Sequence, residues 1–304
     1  MTQRTPLREA TRYERLDRLR AILLELDRVM VAYSGGVDSA FLLKVAVDTL
    51  GDRVLAVTAR SDSYAEGELE DAVRVASEIG ALHLVVDTHE MENESYLANP
   101  ANRCYFCKAE LWDTLGPIAH ERGIPALVDG FNVDDVGDFR PGAKAARERG
   151  VRSPLREAGL GKQEIRVLSR ELELSTWDKP ALACLSSRVP YGESIDREKL
   201  VQIDRAERLI RELGYRQVRV RHHGQIARIE LPAGEIGRFV GEGLAEPVSR
   251  RIKELGFQFV TLDLEGYRTG SLNETLKVLP VPAIRPTSEP VRRADGSAES
   301  GAPA

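Results

Sequence analysis

Val29-Met30-Val31-Ala32-Tyr33-Ser34-Gly35-Gly36-Val37-Asp38-Ser39 is the stretch that decides the fold. Its first five residues form an apolar run of strand length, the paired glycines call for a tight turn, and residues 40–50 return to helical spacing. A second apolar run at 54–58 completes a strand–helix–strand unit. Upstream, Tyr13, Leu16, Leu19, Leu23 and Leu26 stand three or four apart and predict a leading helix. Downstream, the pattern predicts a helix over 67–79, a strand at 82–86, a helix over 108–121 and a strand at 126–128. This alternation predicts an α/β fold: a parallel sheet with helices on both faces and ligands at the carboxyl ends of its strands.

Beyond residue 150 the pattern changes. A helix is expected over 159–173, a proline-bearing segment of weak periodicity over 177–192, and a helix over 195–213. Paired strands at 217–220 and 227–231, a helix at 246–255 and a strand at 257–264 predict a smaller α+β domain. The expected organisation is therefore an N-terminal helix (1–27), the α/β domain (28–175), an interdomain segment (176–194), the α+β domain (195–280) and a flexible tail rich in Pro, Ser, Ala, Gly and charge (281–304). The 304 residues are 42% hydrophobic and carry a formal charge of -5, with no broad cationic face for nucleic acid. A charged N-terminus and the lack of any run of 18 apolar residues predict a cytoplasmic protein without a membrane partner. Three cysteines argue against a disulfide framework and for thiols acting as ligands or reagents.

The turn Ser34, Gly35, Gly36, Val37, Asp38, Ser39 joins a strand to a helix, where backbone N–H groups and the positive end of the helix dipole converge. That suits a phosphate, and Asp38 in such a place suggests Mg2+ between carboxylate and phosphate oxygens. The ending is neither Walker A nor G-x-G-x-x-G. It resembles the PP-loop of the ATP pyrophosphatase superfamily, whose members cleave ATP between the α and β phosphates and leave a substrate adenylate. Asn132 and Asp135 follow the strand at 126–128, where they would orient ATP, Mg2+ or the adenylate, or simply form an Asx turn.

Cys104 and Cys107 form a C-x-x-C pair placed just before the helix that begins near Lys108, and Cys184 lies far downstream. A zinc site would need a histidine from His83, His89, His120, His222 or His223, none at a telling spacing. A thioredoxin-like pair would leave Cys184 idle. Three thiolates can hold three corners of a 4Fe-4S cluster, whose fourth iron then has no protein ligand. Small buried thiols without a role remain the fourth account. Between residues 197 and 221 eight basic residues face four acidic ones, and Arg219 and Arg221, two apart on an expected strand, share a face on which two guanidinium forks could grip one phosphate.

Taken with the turn, the segments Asp129-Gly-Phe-Asn-Val-Asp-Asp135, Arg140-Pro-Gly142, Ser153-Pro-Leu155, Ala183-Cys-Leu-Ser-Ser-Arg188, Arg219-Val-Arg221 and Gly266-Tyr-Arg268 resemble the LarE family over roughly residues 10 to 275. These are ATP-dependent sulfur transferases of nickel-pincer nucleotide biosynthesis. The resemblance implies adenylation of a carboxylate of pyridinium-3,5-dicarboxylate mononucleotide and its conversion to a thiocarboxylate. It places Ser34 to Ser39 on the pyrophosphate of ATP, and Lys108, Ser187 and Arg188 along the reaction pocket. Arg219, Arg221 and Glu230 match the family's charged group beside the substrate phosphate. Cys104, Cys107 and Cys184 match the three-cysteine, 4Fe-4S variety, with Asp38 on Mg2+; the resemblance also implies a homo-oligomer. The alternatives are sacrifice of the Cys184 sulfur, with Cys104 and Cys107 assisting, and thiolation of tRNA. The sulfide donor stays open.

Overall fold

A computed structural model describes residues 11–136, 140–180, 183–268 and 270–273. The expected tail and the ends of the first and fourth expected domains lie outside these residues. Thr11 caps α1 (Arg12–Leu26) through a reciprocal bond pattern with Glu14. Strands β1 (Val29–Ala32), β2 (Val54–Arg60), β3 (Leu82–Asp87) and β4 (Ala126–Val128) form one sheet in the order β3-β2-β1-β4, every pair parallel.

Alternation along β1 sends Val29 and Val31 into one layer and Met30 into the other. The first layer is packed by α1, α2 (Val37–Leu50), α3 (Glu66–Ile79) and α8 (Lys162–Glu171), through Leu19, Leu23, Phe41, Leu42, Ala72, Ile165 and Leu168. The second is packed by α5 (Arg103–Glu121) and α6 (Pro141–Glu148), through Leu111, Trp112, Leu115 and Ala146. Helices thus cover both faces, as expected of a buried parallel sheet. Two short helices, α4 (Glu94–Leu97) and α7 (Pro154–Ala158), complete this half.

The second half packs α9 (Arg197–Glu212), α10 (Ala233–Gly241) and α11 (Ala245–Glu254) on a three-stranded mixed sheet. There β5 (Arg219–His223) and β6 (Ile226–Glu230) are antiparallel, and β6 and β7 (Phe259–Leu262) are parallel. Several boundaries shift from the sequence reading. The hairpin is tighter: β5 starts two residues later than expected and runs through His223, so that only Gly224 and Gln225 form its turn. The helix expected over 159–173 starts at Lys162, because Gly159 takes a left-handed φ of 83° that closes α7 first. α10, with one buried residue, Phe239, has no counterpart in the sequence reading; Gly234, Gly237 and Gly241 give its nine residues low intrinsic helix propensity.

Candidate active site

The glycine turn leaves β1 at the carboxyl edge of the sheet. Gly35 has φ 69°, and a Cβ there would stand 2.9 Å from that of Ala72. Only glycine fits the turn against α3. Ser39 Oγ accepts from the Ser34 N–H at 3.2 Å, lies 3.1 Å from Ser34 Oγ and donates to Gly36 O at 3.2 Å. The Tyr64 hydroxyl donates to Ser34 O. Val37 is buried, so it anchors the first turn of α2 while its neighbours present polar atoms.

Asp38 pairs with Lys162 Nζ through Oδ2, while its Oδ1 is buried with no hydrogen-bond partner among the described residues. Burial raises the Asp38 carboxyl above its ordinary value, and Lys162 opposes the rise. Lys162 was not anticipated from sequence, where it is one lysine at a helix start; the loop after β4 positions it. There Asp134 Oδ2 accepts the Lys162 backbone N–H at 2.6 Å. Asn132 and Asp135 close a reciprocal cap, with Asn132 Oδ1 3.0 Å from Asp134 N and Asp135 Oδ2 3.1 Å from Asn132 N. Asp135 also pairs with Arg140 at 2.7 Å. The Asx-turn geometry expected of this loop is present, and Asp135 uses one oxygen for the backbone and the other for Arg140.

Cys104 and Cys107 lie inside the first turns of α5, which begins at Arg103 rather than near Lys108; i and i+3 on a helix share a face. Cys184 precedes the 3-10 turn Leu185–Arg188, held to the main sheet by the Leu185 N–H donating to Ser63 O at 2.8 Å. Ser63 follows β2, and its hydroxyl donates to the buried Glu90, which follows β3, at 2.8 Å. Asn99 fixes the other side: its amide donates to the carbonyls of Val189, Pro190 and Glu193 at 3.3, 2.7 and 3.0 Å and its oxygen accepts from Arg103 at 2.7 Å. All three thiols therefore stand at the edge that carries the glycine turn.

Electrostatics joins these thiols. Burial raises Cys107, with Glu90, Cys184 and Cys104 adding to the rise and Lys108 opposing it. Burial and then Cys184 raise Cys104, which keeps an exposed side, while Arg103, Lys108 and Arg140 oppose. Lys108, 5.8 Å from the Trp112 ring centre, also acts on the half-buried Asp129, whose pKa desolvation raises and whose Oδ1 accepts from Ser153 Oγ at 2.8 Å. Three thiols beside one ammonium are the right donors in kind for an iron–sulfur cluster. As placed, however, no three His, Cys, Asp or Glu side chains among the described residues are grouped closely enough to hold a metal ion.

From Cys184 the chain runs into the charged group. Arg188, 2% exposed, forks onto the fully buried Glu207 at 2.7 and 2.9 Å, and its other arm donates to the carbonyls of Ala183 and Cys184 at 2.7 and 3.0 Å and to Ser187 Oγ at 2.9 Å. Burial alone would raise Glu207; Arg188, with Arg211 and Arg219, outweighs it, and the carboxyl titrates below its ordinary value. Arg221 donates to Ser187 O at 2.7 Å and to Glu230 at 2.8 Å. A cavity of about 170 Å³ opens among Arg188, Arg221, His223, Arg228, Arg268 and Ser271. Arg219 and Arg221 do share a face of β5. They do not converge on one cavity, because Arg219 stacks 5.5 Å over Tyr267, where burial and Arg188 push it down to about 10. Arg228 and Arg268 line that cavity beside Arg221.

No family model matches the chain. It is 41% identical over 257 residues to the pyridinium-3,5-bisthiocarboxylic acid mononucleotide synthase of Lactiplantibacillus plantarum, covering 84% of this chain and 92% of that protein. The chain belongs to the LarE family of sulfur transferases. Within reach of this LarE family member is also an uncharacterised protein of Synechocystis sp., 52% identical over 262 residues, with 86% of this chain and 98% of that one covered. A tRNA-specific 2-thiouridylase of Treponema denticola is 31% identical over 147 residues, 43% of this chain and 38% of that protein, which ties the LarE fold to the wider PP-loop superfamily. Among the described residues no helix is long and apolar enough to cross a membrane.

Proposed function

We propose that this enzyme uses ATP to adenylate a carboxylate of pyridinium-3,5-dicarboxylate mononucleotide and converts it to a thiocarboxylate, a step of nickel-pincer nucleotide biosynthesis. The observation that supports this reading is that the segment from Cys184 to Arg188 runs from the loop after β2, whose Tyr64 bonds Ser34 of the glycine turn, to the arginine-lined cavity, with Cys104 and Cys107 electrostatically linked to Cys184. The substrate phosphate belongs in the cavity, where Arg221, Arg228 and Arg268 supply guanidinium forks. Its carboxylate then reaches toward the turn and attacks the α phosphorus; the bond to the bridging oxygen breaks, and pyrophosphate leaves toward the N–H groups at Gly35, Gly36 and Asp38. Asp38, with one oxygen unpartnered, fits as a ligand for Mg2+, which would neutralise charge on the phosphates. A sulfur nucleophile next adds to the acyl carbon, the C–O bond breaks, and AMP departs with the electron pair.

Cys104, Cys107 and Cys184 would hold the 4Fe-4S cluster that carries this sulfur. Lys108 opposes the rise that burial imposes on Cys104 and Cys107. A second reading, sacrifice of the Cys184 sulfur, draws support from the spread of the thiols: none of them forms a closed ligand set as placed. Three free thiols suit the reducing cytoplasm, and homo-oligomeric assembly follows the family resemblance. The test incubates anaerobically purified, iron-quantified protein with ATP, Mg2+, the dicarboxylate nucleotide and sulfide. Release of pyrophosphate that requires the nucleotide, together with a product heavier by the exchange of oxygen for sulfur, is expected; no nucleotide-dependent pyrophosphate overturns the reading. Intact mass separates the routes, since only sacrifice leaves the chain lighter by the elements of hydrogen sulfide.

A further inference from the structure

We propose that Lys162 is a phosphate-binding residue held in reserve: in the nucleotide-free protein its ammonium occupies Oδ2 of Asp38, and when Mg2+ and nucleotide arrive it transfers to the pyrophosphate oxygens of ATP. The inference rests on the assignment of the glycine turn as the ATP site, and it adds to that assignment a residue and an order of events.

Four observations carry it. The Lys162–Asp38 pair joins residues far apart in sequence at the one carboxylate of the turn. Asp38 Oδ1 is buried without a partner, so the carboxylate is only half satisfied by its present cation. The backbone of Lys162 is fixed independently of its side chain: its N–H donates to Asp134 Oδ2 at 2.6 Å, and the α8 cap closes through Glu164 on Gly161 N at 3.1 Å. Only the flexible four-carbon stem has to move, and the side chain already reaches solvent at 35% exposure. Finally, Arg166, one turn along α8, donates to the carbonyls of Trp177 and Lys179 at 2.7 and 2.8 Å, so the helix that presents Lys162 also grips the segment leading to Cys184.

The chemistry follows from charge balance. A lone carboxylate facing three phosphates would repel them, and a lone buried carboxylate is costly. The ammonium offsets the Asp38 charge until Mg2+ takes over both tasks, and it then meets the charge that grows on the departing pyrophosphate. This predicts effects of opposite sign on two ligands, which loss of a purely structural ion pair would not give.

The test measures Mn2+ binding without nucleotide, and binding of inorganic pyrophosphate with saturating Mg2+, by calorimetry on the full chain. For Lys162→Met the expectation is tighter nucleotide-free Mn2+ binding, because Asp38 is released, and pyrophosphate binding weaker by about 10- to 100-fold, the range for a charged hydrogen bond. Lys162→Arg is expected to restore pyrophosphate binding to within a few fold, and melting curves of both variants establish that they fold. Unchanged pyrophosphate affinity in Lys162→Met, or weakened Mn2+ and pyrophosphate binding together in a folded variant, overturns the proposal. Failure of the wild-type protein to bind ATP or pyrophosphate at all overturns the ATP-site assignment instead.

Discussion

Two ion pairs, one in each half of the molecule's charged groups, are built on opposite principles. Arg188 and Glu207 are almost wholly out of water, at 2% and 0% exposure, and the carboxylate is saturated by Arg188, Arg211 and the Val220 N–H. Lys162 and Asp38 keep partial access to solvent, at 35% and 21%, and leave one carboxylate oxygen without a partner. A saturated pair gains nothing from a ligand and its rupture leaves an uncompensated charge, so it serves as a fixed strut. A half-satisfied pair has something to gain when a cation or phosphate arrives, which is the mark of a working site. Mutations at the two should therefore diverge, stability at one and ligand binding at the other.

The largest effect is expected at the strut. Glu207→Gln leaves Arg188 and Arg211 facing a neutral amide, and loss of one partner of a buried pair costs about 3–5 kcal/mol. Denaturation followed by circular dichroism checks it. The pH dependence has a defined sign. Glu207 titrates below its ordinary value of 4.5 in the folded protein, so its stabilisation is complete above that value and drains away as pH falls toward the lowered folded pKa. The variant should lack that part of the acid sensitivity. A variant as stable as wild type would remove the distinction between the two pairs.

Next comes the turn itself. Gly35→Ala combines a left-handed φ, worth about 1–2 kcal/mol against a side chain, with a Cβ 2.9 Å from that of Ala72 in α3, an overlap in the class that costs about 1–3 kcal/mol. Because Ala72 belongs to a packed helix, the turn is expected to yield, and ATP-dependent pyrophosphate release should fall more steeply than melting temperature. A variant that loses stability but keeps wild-type pyrophosphate release would show that this turn is scaffold alone.

How much of this was legible in the sequence differs between the same two regions. The turn could be read because its signal is local: an apolar strand, two glycines and a helix in eleven consecutive residues leave few conformations. The parallel sheet followed, since each of its strands carries its own apolar run. Lys162 and Glu207 were illegible for the opposite reason. Lys162 meets Asp38 only through the tertiary fold, and Glu207 sits among charges on α9 that look like a solvated, self-paired face until packing buries it. Arg219 shows the limit of periodicity even where it holds. Alternation placed it correctly on the face of Arg221, yet the cavity is set by what crosses that face, and Arg219 stands over the Tyr267 ring outside the cavity lining.

The smallest stability effect, and the sharpest contrast with Glu207, is expected at Asp38. Asp38→Asn removes a carboxylate that burial already disfavours, as its raised pKa shows, and loses in return a partly exposed bond to Lys162. These contributions oppose one another, so the melting temperature should stay close to that of wild type, whereas Mn2+ binding without nucleotide should be lost. The sign with pH is also opposite to that of Glu207. A carboxyl whose folded pKa lies above its unfolded one contributes stability at low pH that is lost as pH rises through the folded value, so the substitution should flatten that loss rather than add to it. If Asp38→Asn destabilised the protein as much as Glu207→Gln, its unpartnered oxygen would be part of a strut after all, and the binding role assigned to the turn would have to move elsewhere.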